Sequence, residues 1–123
     1  MKLSILITLL NEELVLAQTH KAISEKLESM ILSEELSDYE ILYVDDGSSD
    51  STLKLIDAIA DENPRVKYIS FSRNFGRESG ILAGFKYATG DAVMVMDGDL
   101  QHPPYLIPLF VEAYKEGYDI VSG

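Results

Sequence analysis

Asp97 and Asp99 are separated by one glycine and follow the apolar run 92–96 directly. With one flexible residue between them, both carboxylates can turn towards the same point. At about 5 Å and an effective dielectric near 20, two such charges repel each other by roughly 3 kcal/mol. A divalent cation offsets that repulsion, and Mg²⁺ or Mn²⁺ can hold a diphosphate at the same time. The pair therefore predicts a metal site for a phosphate ligand, with a solvated Asp-Gly turn as the alternative.

Polar residues also follow three other apolar runs of the chain. The candidate binding residues are Asn11, Glu12, Asp45, Asp46, Gly47, Ser48, Arg73, Asn74, Arg77, Gly98 and Gln101. A carboxylate such as Asp46 can accept a hydrogen bond from a nucleobase or a ribose, and a turn or helix cap is its alternative role. Arg73 and Arg77 suit phosphate recognition, and a salt bridge to a neighbouring carboxylate is the alternative for each of them.

Strands and helices alternate along the chain and would position these clusters. We predict strands at 2–9, 39–44, 66–71, 91–96 and 118–122, and helices at 13–36, 50–62, 79–89 and 103–116. This alternation predicts a parallel sheet whose ligands bind beyond the carboxyl ends of the strands. Gly80 and Gly84 indicate close packing of one helix on the sheet. We therefore expect an α/β fold, a three-layer sandwich with a mostly parallel sheet, in one domain spanning 1–123.

Composition excludes several classes of function. The chain has 21 acidic and 10 basic residues and a formal charge of −11, which does not suit a nucleic-acid partner. It has no cysteine, which excludes disulfides, thiolate zinc sites and cysteine nucleophiles. No run approaches the roughly 18 apolar residues of a membrane span, and no signal-peptide cleavage site follows the first strand. We expect the protein to lie in the cytoplasm, with the inner face of the membrane as the alternative location.

Four segments of the chain resemble family-2 glycosyltransferases of the GT-A fold, in order and at the family spacing. They are 3–13, 44–50, 72–76 and 97–104. The most similar branch is the dolichol-phosphate mannose synthase-like group, which includes bacterial polyprenyl-phosphate glycosyltransferases. The resemblance implies an inverting transfer from a UDP- or GDP-sugar to a polyprenyl phosphate, with Mg²⁺ or Mn²⁺. It places Asp46 near the base, and Asp97 and Asp99 near the ribose, diphosphate and metal as the catalytic pair.

Two departures from the family pattern bear on function. Leu10 stands where the family usually has a tyrosine that can stack on the base. Family catalytic domains also continue beyond the equivalent of residue 123 into the acceptor side, so we expect a fold cut after its fifth strand. Such a chain should transfer sugar weakly by itself. It should also form homo-oligomers through a bare C-terminal edge that includes Tyr118, Ile120 and Val121.

Other protein classes share parts of this pattern. Phosphatases of the haloacid dehalogenase type carry their Asp-x-Asp pair after the first strand, whereas the pair here follows the fourth. Nucleotidyltransferases have a basic, glycine-rich loop after the first strand, where this chain has 10–13, Leu-Asn-Glu-Glu. A receiver domain places its acidic pair after the first strand as well. An alternative of a different class stays open, namely a non-catalytic nucleotide-binding or assembly module.

Overall fold

The computed structural model describes residues 1–98 and 103–117. Four strands and four helices alternate along this part of the chain. The strands are β1 (Lys2–Leu9), β2 (Asp38–Asp45), β3 (Val66–Ser70) and β4 (Ala92–Asp97), and the helices are α1 (Leu16–Leu32), α2 (Thr52–Glu62), α3 (Arg77–Tyr87) and α4 (Leu106–Lys115). All pairings are parallel, in the order β3-β2-β1-β4. The predicted α/β class is therefore confirmed, while the fifth strand at 118–122 lies outside the described residues.

Helices cover both faces of the sheet and make the fold three-layered, as predicted. On one face, β1 and β2 pack against α1, α2 and α4, and the shared core includes Ile5, Ile41, Leu27, Ile56 and Val111. On the other face, a smaller cluster lies under α3 and includes Leu6, Leu42, Val44 and Val95. Because both faces of β1 are covered, its sequence is a nearly continuous apolar run, as expected of a buried parallel strand.

The position of β1 between β2 and β4 determines where the polar clusters meet. Thr8, near the end of β1, is paired with Val44 on one side and with Asp97 on the other. The three strands therefore end side by side. The loops that follow them share one edge of the sheet, which is where parallel sheets bind ligands.

Two glycines let α3 lie directly on the sheet. A Cβ at Gly84 would be 2.2 Å from Cδ1 of Leu6, and a Cβ at Gly80 would be 3.4 Å from Cγ2 of Thr8. Any side chain at Gly84 would require the fully buried side chain of Leu6 to shift. This confirms the predicted close packing and brings the first turn of α3 to the carboxyl edge of the sheet.

Several helix boundaries differ from the sequence-based prediction. Helix α1 begins at Leu16 rather than residue 13, because the N–H groups of residues 11–13 donate to the loop after β2 and to Thr52, the first residue of α2. It ends at Leu32 rather than residue 36, because Glu34 adopts a left-handed φ of 64° and the N–H of Glu35 turns back to the carbonyl of Met30.

The starts of the last two helices also differ. Helix α3 begins at Arg77, two residues before its predicted start at 79. Helix α4 begins at Leu106 rather than residue 103, because the N–H groups of Leu106 and Ile107 close turns on Pro103 and Pro104. In residues 1–98 and 103–117, no helix combines the length and the apolar character that crossing a membrane requires.

Candidate functional site

A cavity of about 280 Å³ lies at the carboxyl ends of β1 and β4. Its lining residues are Thr8, Leu9, Leu10, Glu12, Asp46, Asn74, Gly76, Arg77, Asp97 and Gly98. Residues from all four polar clusters of the sequence are present in this list. The structure therefore brings the predicted clusters together, as the parallel topology requires.

An ion pair joins the two sides of this cavity. Nε of Arg77, on the first turn of α3, lies 2.8 Å from Oδ1 of Asp97 at the end of β4. The side chains are 41% and 29% exposed, so the pair is open to solvent and to the cavity. The salt-bridge alternative for Arg77 is thus what the structure shows.

The predicted metal site is only partly described. Asp97 lies in the cavity, whereas Asp99 and Gln101 lie outside the described residues. Within residues 1–98 and 103–117, no three histidine, aspartate or glutamate side chains are grouped so that they could hold a metal ion. The site formed by Asp97 and Asp99 stays a prediction.

Asp46 connects two loops of the cavity. Its Oδ1 accepts the backbone N–H of Phe75 at 2.8 Å, and its Oδ2 accepts that of Gly76 at 3.1 Å. The residue is 5% exposed, and its own N–H donates to the carbonyl of Leu9 at 2.9 Å. Asp46 therefore holds the approach to α3 against the ends of β1 and β2. A contact with a base stays a prediction.

The loop after β2 is a tight turn that depends on Asp45 and Gly47. Asp45 is 1% exposed, and its Oδ1 accepts the N–H of Ser48 at 3.3 Å. Gly47 has a φ of 77°, and a Cβ there would lie 2.3 Å from the carbonyl carbon of Arg73. Neither they nor Ser48 line the cavity. These predicted binding residues shape the turn after β2, which packs against the backbone of Arg73 and Asn74.

Asn11 also acts on this turn rather than on the cavity. Its Oδ1 accepts the N–H of Ser49 at 2.8 Å and that of Asp50 at 3.3 Å, while its own N–H donates to Oγ of Ser48 at 2.9 Å. Its φ of 54° is left-handed, a conformation that asparagine tolerates better than most residues. The neighbouring N–H of Glu12 donates to Oγ1 of Thr52 at 2.9 Å.

The loop after β3 contributes Asn74 and Gly76 to the cavity wall. Asn74 lines the cavity, and its Oδ1 accepts the N–H of Gly76 at 2.9 Å. Arg73 is outside the lining, and its guanidinium carbon lies 4.8 Å from the centre of the Phe75 ring. The predicted phosphate contact of Arg73 is not tested by this geometry.

Sequence reasoning missed part of the cavity wall. Thr8, Leu9, Leu10 and Gly76 line it but were not predicted as binding residues. Residues that line a cavity with apolar side chains or with backbone atoms carry no chemical group that marks them in a sequence. Their positions, at the end of a predicted strand and at a glycine, were the signals that could have indicated them. Leu10 is 40% exposed, so it offers an apolar surface at the position where a tyrosine was expected from the resemblance. A Cβ at Gly98 would lie 2.1 Å from Cδ2 of Leu9, which explains the glycine after β4.

The chain is similar to known glycosyltransferases along nearly its whole length. Residues 4–123 match the family described as Glycosyl transferase family 2. The chain is 47% identical over 119 residues to CsbB of Bacillus subtilis (strain 168), a protein named as a glycosyltransferase, with 97% of this chain and 35% of that protein covered. It is 40% identical over 123 residues to the bactoprenol glucosyl transferase of Shigella phage SfX, with 98% and 38% covered. The chain thus spans little more than a third of the length of these relatives.

Two solved structures share the fold. The structure of S. aureus TarS 1–349 has a TM-score of 0.72 at 21% sequence identity. The alignment covers 94% of this chain and 33% of the TarS chain. A mannosyltransferase from Pyrobaculum calidifontis in complex with GDP-Man and Mn²⁺ has a TM-score of 0.68 at 18% identity, with 86% and 30% covered. Identities this low establish a likeness of fold alone, and that fold is the predicted GT-A type.

Proposed function

Because the chain belongs to glycosyl transferase family 2, we propose that its cavity binds the diphosphate part of a UDP- or GDP-sugar donor. The observation that carries this proposal is the meeting of Asp46, Arg77 and Asp97 in one cavity at the carboxyl edge of a parallel sheet. A guanidinium and carboxylates at such an edge suit a phosphate ligand and its counterion. Related folds have been solved with UDP-GlcNAc and with GDP-Man, which supports a nucleotide-sugar ligand here.

Mg²⁺ or Mn²⁺ fits the chemistry of this cavity. Asp97 offers a hard oxygen ligand that is partly exposed. Asp99, two residues further along the chain, would supply a second carboxylate. A divalent ion held by these two aspartates would neutralise negative charge on the departing diphosphate. In this way Asp97 and Asp99 would form the catalytic pair.

The other candidate residues would serve the donor in two ways. Asp46, Asn74 and Gly98 lie on the cavity wall, where they can contact the base, ribose or diphosphate. Asn11, Gly47 and Ser48 would instead hold the turn after β2 in the shape that the cavity needs, as their hydrogen bonds and close approach indicate. Glu12, on the wall beside Leu10, and Gln101, predicted from the sequence, complete the proposed donor site.

We further propose that the acceptor is a polyprenyl phosphate, since relatives that align with 98% of this chain are named bactoprenol glucosyl transferases. An oxygen of the acceptor phosphate would attack the anomeric carbon of the sugar from the side opposite to the diphosphate. The new carbon–oxygen bond would form as the bond to the diphosphate breaks, which inverts the anomeric centre and releases UDP or GDP. A lipid acceptor would bring the reaction to the inner face of the membrane.

Titration calorimetry with UDP and GDP, with and without Mn²⁺, tests the donor site. We expect one of these nucleotides to bind in the presence of Mn²⁺, and Asp97→Asn to weaken that binding at least about tenfold, as expected for a charged contact. Asp61→Asn is the matched control, because Asp61 is exposed near the end of α2, which leads away from this edge of the sheet. Equal binding by the parent and Asp97→Asn, with both folded by circular dichroism, would contradict the proposal.

A further inference from the structure

The arginine at the start of α3 occupies a fixed position in the donor cavity. Both backbone N–H groups before it are held, since those of Phe75 and Gly76 donate to the carboxylate of Asp46. Gly76 has a φ of 100°, a backbone conformation that favours glycine, and helix α3 begins at the next residue, Arg77. The guanidinium thus projects from a turn whose backbone is held, on a side chain that is 41% exposed.

The present partner of Arg77 is the carboxylate that the proposed cation would need. Nε of Arg77 donates to Oδ1 of Asp97 at 2.8 Å. A divalent cation bound by Asp97 would stand close to the guanidinium and repel it. A diphosphate arriving with that cation would offer oxygens that a guanidinium binds with parallel hydrogen bonds.

We propose that Arg77 is an exchangeable counterion of the donor site. Without ligand it neutralises Asp97; when a divalent cation takes Asp97, Arg77 moves to the diphosphate of the donor. This inference rests on the proposed function, because it needs a nucleoside diphosphate and a cation in the same cavity. It assigns Arg77 opposite effects on two ligands, since the side chain competes with the cation and assists the nucleotide.

Calorimetry on the whole chain with Mn²⁺ alone, and then with UDP or GDP at saturating Mn²⁺, separates these effects. For Arg77→Gln we expect Mn²⁺ to bind about fivefold tighter, as for the loss of a partly exposed ion pair. We expect the nucleotide to bind at least about tenfold more weakly, because a charged hydrogen-bond donor is lost. Arg77→Lys keeps the charge without the planar fork, so it should restore competition with Mn²⁺ and recover only part of the nucleotide affinity.

Lys86→Gln is the matched control, since it removes the same charge from the last turn of α3 and should change neither affinity. A purely structural role of Arg77 would weaken both ligands together, and no role would leave both affinities unchanged. Either result overturns the proposal. If the proposed function is wrong, the result is different: the parent chain itself binds neither UDP nor GDP in the presence of Mn²⁺. That result would also overturn the proposed exchange of Arg77.

Discussion

Glu40 is a buried carboxylate near the start of β2, and it should control the stability of the chain at acidic pH. It is 2% exposed. Its Oε2 accepts the hydroxyl of Ser4 at 2.6 Å and the N–H of Thr89 at 2.6 Å, and its Oε1 accepts Nζ of Lys67 at 3.0 Å. These contacts join three neighbouring strands to the turn before β4. The charged form of Glu40 therefore stabilises the contacts between these segments.

The magnitude follows from the pKa of this carboxyl group. Burial by itself raises the pKa of Glu40, but hydrogen bonds from Ser4, Thr89 and Lys67 outweigh burial and lower the pKa from 4.5 to about 2. The folded chain therefore takes up this proton less readily than the unfolded chain. The stabilisation is present above pH 4.5 and is lost as the pH falls towards about 2. At about 1.4 kcal/mol per pH unit, the full effect is about 3 kcal/mol.

Glu40→Gln keeps the size of the side chain and removes its charge. We expect it to lower the free energy of unfolding by about 3 kcal/mol at about pH 7, and by progressively less as the pH approaches about 2. Urea unfolding at several pH values measures this difference. Glu25→Gln is the control, because Glu25 lies in an exposed pair with Lys21 that should contribute no more than about 0.5 kcal/mol. A difference for Glu40→Gln that is absent at neutral pH, or that does not change with pH, would refute the reasoning.

Three further predictions concern the packing of α3, the turn after β2 and self-association. Gly84→Ala should lower the melting temperature, because a Cβ 2.2 Å from Leu6 overpacks the core, which costs about 1–3 kcal/mol. Gly80→Ala is the control, since its Cβ meets only ordinary contacts at 3.4 Å. Equal melting temperatures for the two variants would contradict this prediction. Gly47→Ala should weaken nucleotide binding in calorimetry, because its φ of 77° and a backbone carbon 2.3 Å away leave no room for a Cβ; unchanged affinity would show that the turn is not needed. Light scattering over a concentration series should reveal self-association, which Leu109→Lys should reduce, because Leu109 is 55% exposed on α4; a parent chain that stays monomeric at high concentration would contradict this.

Most of the fold could be predicted from the sequence, because buried parallel strands are marked by local patterns. The predicted limits of β1 agree with the structure, and those of β2 differ by one residue at each end. The start of α1 could not be found in this way. It depends on hydrogen bonds between residues 11–13 and 48–52, and contacts between segments so far apart leave no local trace.

The candidate site could be predicted as a set of clusters but not as a set of contacts. Topology alone required the segments after β1, β2 and β4 to meet. Topology does not separate the neighbours Asp45 and Asp46, but the resemblance favours Asp46, which is the one that lines the cavity. Topology also left open whether Arg77 pairs with a carboxylate or a phosphate, since both partners suit a guanidinium. The 2.8 Å distance between Nε of Arg77 and Oδ1 of Asp97 identifies a carboxylate as its partner in this structure.

The polar residues at this edge of the sheet hold the loops together before any ligand arrives. Asp46 binds two N–H groups of the loop that leads into α3, and Asn11 binds two N–H groups of the turn after β2. Replacing Asp46 by alanine would remove the acceptor of the partly buried N–H of Phe75, which costs about 1–3 kcal/mol, whereas the N–H groups that Asn11 accepts are exposed and cost less. A loss of nucleotide binding in such variants would therefore measure the shape of the loops as well as contact with the ligand. The side chains of Arg77 and Asp97 form an ion pair with each other, so these are the positions where a change in binding bears most directly on the chemistry of the site.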